Sequence, residues 1–176
     1  MNQTNKWILT GLYIAIGIIL PQVFHPLNLG QVISPMHFSV ILCGLMLGYK
    51  YGVVCGIVTP ILGGILFNMP PFYPVGISMA IELSVYGLVT GLFYNNKQLV
   101  NEKVISLYLC LILAIILGRF SSALVNSILV LMGESNQYLG SYLEILFVIG
   151  LPGIVLQLLI IPPIVLRLAN IQDKKF

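Results

Sequence analysis

The stretch Phe67-Asn-Met-Pro-Pro-Phe-Tyr-Pro-Val-Gly-Ile-Ser-Met-Ala-Ile-Glu82-Leu-Ser-Val-Tyr86-Gly87 changes character midway. Its first half holds Pro70, Pro71 and Pro74 and reads as a turn, because proline lacks an amide hydrogen and clashes with a preceding helical turn. Its second half is an apolar run that reads as a helix. That run carries Glu82, with Ser78 and Tyr86 four residues to either side, so the three share one helix face. At membrane depth a carboxylate is costly, and it normally faces a bundle interior or a cavity and has a partner. The rest of the chain decides whether Glu82 lies at that depth and what it faces.

Composition answers the first question. The 176 residues are 59% hydrophobic and 7% charged, with a mean hydropathy of +1.03. A soluble domain carries about 25% charged residues. The chain therefore reads as an all-α integral membrane protein, a single domain over residues 1–176. The net charge of +3 is not gathered into a patch that could hold nucleic acid. Cys43, Cys55 and Cys110 lie in apolar runs without metal-ligand or redox spacing and read as small packing residues. Residues 7–20 follow Lys6 as a signal peptide would, but Pro21-Gln22-Val23-Phe24-His25 is a poor cleavage site, so a retained first helix is expected.

Six apolar spans can be drawn: Trp7–Phe24, Phe38–Tyr49, Tyr51–Phe67, Pro74–Tyr94, Val104–Leu131 and Tyr142–Leu168. The second is short against the roughly 20 residues a span needs. It is kept because of the basic residues. Lys6, Lys50, Lys97, Lys103, Arg167, Lys174 and Lys175 all fall on one side of a six-span chain, Arg167 at the very end of the sixth span, and only Arg119 lies in the interior of a span. The positive-inside bias then places both termini in the cytoplasm. The expected architecture is a compact bundle of six transmembrane helices in the cell membrane.

The opposite loops, Phe24–His37, Asn68–Tyr73 and Met132–Ser141, hold both histidines, several prolines and polar groups such as Asn68, Tyr73 and Asn136. Such loops serve equally as plain water-facing turns or as binding loops on a rigid scaffold. Small residues recur four apart as Gly11/Ala15, Gly44/Gly48 and Gly52/Gly56. These stripes let another helix approach closely, either within the chain or from a separate membrane subunit.

Arg119, Ser122 and Asn126 share one face of the fifth span. Glu82 lies eight residues below Pro74, about 12 Å deep, and Arg119 twelve residues below Leu131, about 18 Å deep. A long arginine side chain covers that difference, so the two are expected to meet. The sixth span adds Gln157. The pair either neutralises itself and only holds the bundle together, or lines an outward-opening pocket. The many polar groups nearby favour the pocket. No phosphate-binding loop, H-E-x-x-H or G-x-S-x-G occurs, so neither ATP hydrolysis nor hydrolase chemistry is expected of this chain. His25 and His37, twelve apart in a loop, are weak grounds for a metal site.

One ordered series of residues resembles a known family. It comprises Leu20-Pro21, Phe24-His25, Pro35-Met36-His37, Gly44, Gly48, Gly52, Gly56, Pro60, Gly64, Met69-Pro70-Pro71, Glu82-Leu83, Tyr86-Gly87, Gly91 and Gly118-Arg119. The chain resembles the substrate-binding S components of energy-coupling factor (ECF) vitamin transporters over nearly its whole length. The resemblance implies a six-helix bundle, not an enzyme, that binds a vitamin or vitamin precursor from outside. It also implies docking on a transmembrane coupling subunit driven by two ATPase subunits, with no cofactor of its own. Glu82, Tyr86, Arg119, Asn126 and Gln157 are then expected to hold the solute, with His37, Asn68, Tyr73 and Asn136 at the mouth. Gly11, Ala15, Gly44, Gly48, Gly52 and Gly56 are expected to face partner helices, although the family's helix-one motif is often Ala-x-x-x-Ala and Gly11 departs from it. A free Arg119 would suit the carboxylate of pantothenate, the solute expected first; an Arg119 already neutralised by Glu82 fits a neutral ligand better, and cobalamin, pyridoxine or a thiamine precursor are the alternatives the resemblance offers. A stand-alone channel and a small intramembrane enzyme using Glu82 and a histidine are the competing classes.

Overall fold

The computed structural model describes residues 2–24, 35–94, 103–132 and 150–173. Six α-helices cover most of them: α1 (Gln3–Phe24), α2 (Pro35–Leu47), α3 (Tyr49–Phe67), α4 (Ile77–Phe93), α5 (Lys103–Leu131) and α6 (Leu151–Asp173). Four of these, α1, α3, α5 and α6, are long and apolar enough to cross a membrane. Helices α2 and α4 are apolar but have only 13 and 17 residues.

Local chemistry sets the boundaries. Pro35 opens α2, a position where its missing amide hydrogen leaves no helical bond unmade. The α2–α3 turn passes through Gly48 at φ 100°, which only glycine adopts without strain. Helix α3 ends on Asn68, left-handed at φ 54°, whose amide donates to the Gly64 carbonyl at 3.0 Å. Tyr73 is extended (φ −131°, ψ 138°), as the residue before a proline prefers. Tyr73 is the one non-helical residue of the π-helical turn Phe72–Gly76, which leads without a break into α4 at Ile77, so helical backbone resumes at Pro74. The expected start of the sixth span, residues 142–149, lies outside the described residues.

Helix α4 is the hub. It packs against α2, α3 and α5, whereas α1 lies on α2 and α3, and α6 touches α2 and α5. Glycines bring α4 within backbone contact of its neighbours. A side chain at Gly87 would meet the Gly52 backbone, one at Gly56 would meet Leu83 and Ser84, and one at Gly91 would meet Gly48 and Tyr49. A side chain at Gly44 would meet Thr90 and Gly87. These contacts correct the expectation that Gly44, Gly48, Gly52 and Gly56 face a separate subunit. Their missing side chains are what lets this chain's own α4 sit against α2 and α3.

Gly11 and Ala15 differ. Both are exposed on α1, and nothing lies within 4 Å of where a Gly11 side chain would start. Around them Ile8, Leu12, Ile19 and Val23 are each more than half exposed. Elsewhere on α1, Thr10, Gly17 and Ile18 are buried. The buried core is built mainly from α2, α4 and α5, closed by Ile161 and Val165 of α6. All three cysteines are free and buried in it, as packing residues are.

The helix ends can be matched. Lys6 sits 5.7 Å from the Tyr51 ring centroid, and Trp7 packs edge-on against the same ring at 4.9 Å. The end of α4 meets the start of α3 at Gly91 and Tyr49. The Cys110 thiol lies 3.8 Å from the Val89 and Thr90 carbonyls, so the first half of α5 runs beside the last half of α4. The start of α1, the α2–α3 turn with Lys50, the end of α4 and the start of α5 therefore share one end of the bundle.

Candidate functional site

At the other end of α4 a polar cluster is closed inside apolar helices. Glu82 is 4% exposed, Tyr86 1%, Arg119 4% and His37 4%. The Tyr86 hydroxyl donates to Glu82 Oε1 at 2.8 Å. The same carboxylate oxygen lies 3.5 Å from Arg119 Nε and 3.5 Å from His37 Nε2. The His37 and Tyr86 rings pack at a tilt of 54° with centroids 5.2 Å apart. One carboxylate oxygen thus gathers a hydroxyl, an imidazole and a guanidinium from α4, α2 and α5.

The backbone explains how three helices reach one oxygen. Glu82 and Tyr86 are one turn apart on the inner face of α4. Arg119 follows Gly118, and a side chain at Gly118 would run into the Tyr86 ring, so the glycine lets α5 settle over that tyrosine. The ion pair expected from the depths of Glu82 and Arg119 is present.

His37 is placed differently from the expectation. It lies in the first turn of α2 and in the cluster, not in a loop at the mouth. The reason is the helix start at Pro35, three residues before the apolar run that marked the span. The motif Pro35-Met36-His37 carried that signal, because proline favours the first helical turn.

Four further polar side chains are buried in the bundle. Ser122 and Asn126 continue the Arg119 face of α5, exposed by 0% and 1%, and Ser78 on α4 is 0% exposed. Gln157, 1% exposed, shares the inward face of α6 with Ile161 and Val165. Among the described residues, Asn126 Nδ2, both polar atoms of the Gln157 amide and His37 Nδ1 are buried without a hydrogen-bond partner. Orphaned polar atoms inside a bundle are costly, and each calls for an explanation such as a bound molecule.

The remaining expected residues lie elsewhere. Asn68 and Tyr73 are exposed in the turn between α3 and α4. Asn136, like His25, lies outside the described residues. A groove of about 380 Å³ runs between α3 and α4, lined by residues such as Ile57, Pro60, Ile61, Phe72, Ile81 and Val85. Its lining is apolar except for Ser84, whose hydroxyl donates to the Ala80 carbonyl, and it includes none of the cluster, so it offers little that would select a polar molecule.

A family description, "ECF transporter, substrate-specific component", matches residues 5–165. Searches of curated proteins and of solved structures return no match.

Proposed function

The chain belongs to the family of ECF transporter substrate-specific components, and from that premise we propose that it captures a small polar solute, a vitamin or vitamin precursor, in the pocket around Glu82. As a member of that family it is a transport subunit and not an enzyme, a multi-pass membrane protein that works within an ECF transporter complex. The reading extends the bundle to six spans with both termini in the cytoplasm. The shorter α2 and α4 fit this reading: α4 is the hub, and α2 has ten buried residues, so neither is a lone lipid-facing span. Lys6 and Lys50 share one end of the bundle, which the positive-inside bias assigns to the cytoplasm. The Glu82 cluster then lies in the outer half.

In this reading Glu82, Tyr86, Arg119, His37, Asn126 and Gln157 wall the site, and Asn68, Tyr73 and Asn136 lie at its mouth. Gly11 and Ala15 face the coupling subunit, and two ATPase subunits supply the energy, so the chain needs no cofactor. The observation that carries the proposal is the set of buried, unpartnered amide atoms on Asn126 and Gln157, in a bundle that also buries the Glu82–Arg119 ion pair. A purely structural pair has no use for them. Pantothenate was the expectation for a free Arg119; with Glu82 on that guanidinium, its carboxylate no longer argues for it.

Gln157→Leu separates the two roles. Removing an orphaned buried amide relieves a desolvation cost of about 1–3 kcal/mol, so the solute-free protein should become more stable. Binding to a panel of pantothenate, pyridoxine, thiamine and cobalamin, measured by calorimetry on purified protein, should weaken about tenfold or more for the member that binds. Higher stability with unchanged affinity would remove Gln157 from the site.

A further inference from the structure

We propose that the solute is uncharged and is recognised through an amide-like edge that offers a hydrogen-bond donor beside acceptors. This rests on the solute-capture reading above and adds the chemical class.

Charge balance is the first argument. Among the described residues, Glu82 and Arg119 are the only buried members of the Asp, Glu, Lys and Arg set. They face each other at 3.5 Å. Their two charges cancel each other. A solute carboxylate would have to share one guanidinium with Glu82. Two anions against one cation in a dry site leave one of them uncompensated or force it to take a proton. A solute cation meets the mirror-image conflict at Arg119. A neutral molecule meets neither.

The vacant partners are the second argument. Glu82 Oε1 is already surrounded by Tyr86, His37 and Arg119. Unfilled positions include the Asn126 Nδ2 and Gln157 Nε2 donors and the Gln157 Oε1 acceptor, and both His37 ring nitrogens also lack a hydrogen bond. Two amide donors ask for carbonyl or ring-nitrogen acceptors, and an amide oxygen asks for an N–H or O–H. A lactam, a carboxamide or an amino-substituted ring presents both along one edge. A site built from such groups rejects an analogue that leaves them unpaired.

The test uses purified full-length protein and probe pairs matched in shape but not in charge: pantothenate with pantothenol, and nicotinate with nicotinamide. Solute released from the same protein on denaturation is analysed by mass spectrometry in both polarities. The uncharged member of any pair that binds should be tighter by about tenfold or more, and the released solute should carry no net charge. Glu82→Gln frees the guanidinium and should move the preference toward the carboxylate member. A wild-type protein that binds the carboxylate member as tightly, or that releases an anionic solute, overturns the inference and leaves solute capture standing. If no probe binds and no solute is released, solute capture itself fails, and the inference falls with it.

Discussion

Tyr86 and Arg119 hold the same carboxylate oxygen by different physics, and the difference is measurable. Tyr86 supplies one hydrogen bond to a charged acceptor, a contact worth about 1.5–3 kcal/mol. Arg119 supplies the opposite charge, and removing one partner of a buried pair costs about 3–5 kcal/mol because the other is left uncompensated. Arg119→Ala should therefore destabilise the protein more than Tyr86→Phe in thermal unfolding of the purified chain. Adding Glu82→Gln to Arg119→Ala should restore most of the loss, since the stranded charge is gone. A double variant as unstable as the single would show that the guanidinium acts through packing rather than charge. The meeting of Glu82 and Arg119 was legible in the sequence because depth along a helix follows from residue count alone. The third partner, His37, was not, because a hydropathy run starts where apolar residues start and overlooks a helix that begins on Pro35.

At the scale of elements, the fold depends on how closely α4 approaches α3. Gly87 and Gly52 meet backbone to backbone, an approach that no side chain at either position would allow. Gly87→Ala inserts a methyl where a backbone carbonyl sits, and overpacking of this kind costs about 1–3 kcal/mol or more. The lost midpoint should be visible by thermal unfolding, and solute binding should weaken with it, because Glu82 and Tyr86 ride on the same helix. An alanine tolerated without loss would mean that α3 and α4 can part freely. The stripes of small residues were plain in the sequence, but their partner was not. Spacing shows that a helix can come close and is silent on which helix does. Here α4 of the same chain fills the stripe from Gly44 to Gly56, which leaves only Gly11 and Ala15 open.

For the whole molecule, the buried and exposed residues of α1 separate folding from assembly. Thr10, Gly17 and Ile18 are buried, and Gly17 sits against Ser39 and Thr59, so α1 is anchored through them. Gly11 and Ala15 are exposed among large apolar residues. In the bilayer such residues need no cover, so their exposure alone identifies no partner; what distinguishes this surface is the shallow strip that two small residues leave between Ile8, Leu12 and Ile19. Filling the strip with Gly11→Leu and Ala15→Leu touches nothing within the chain at Gly11 and should shift stability by no more than about 0.5 kcal/mol, as surface changes usually do. Solute binding by the isolated chain should be unchanged, because every residue of the Glu82 cluster lies on α2, α4, α5 or α6. If the strip is where a coupling subunit packs, the double variant should lose co-purification with that subunit and lose ATP-driven uptake in reconstituted vesicles. Retained assembly and uptake would move the docking surface off α1, and since Gly44 to Gly56 are already filled by α4, it would have to lie on a face without a small-residue strip.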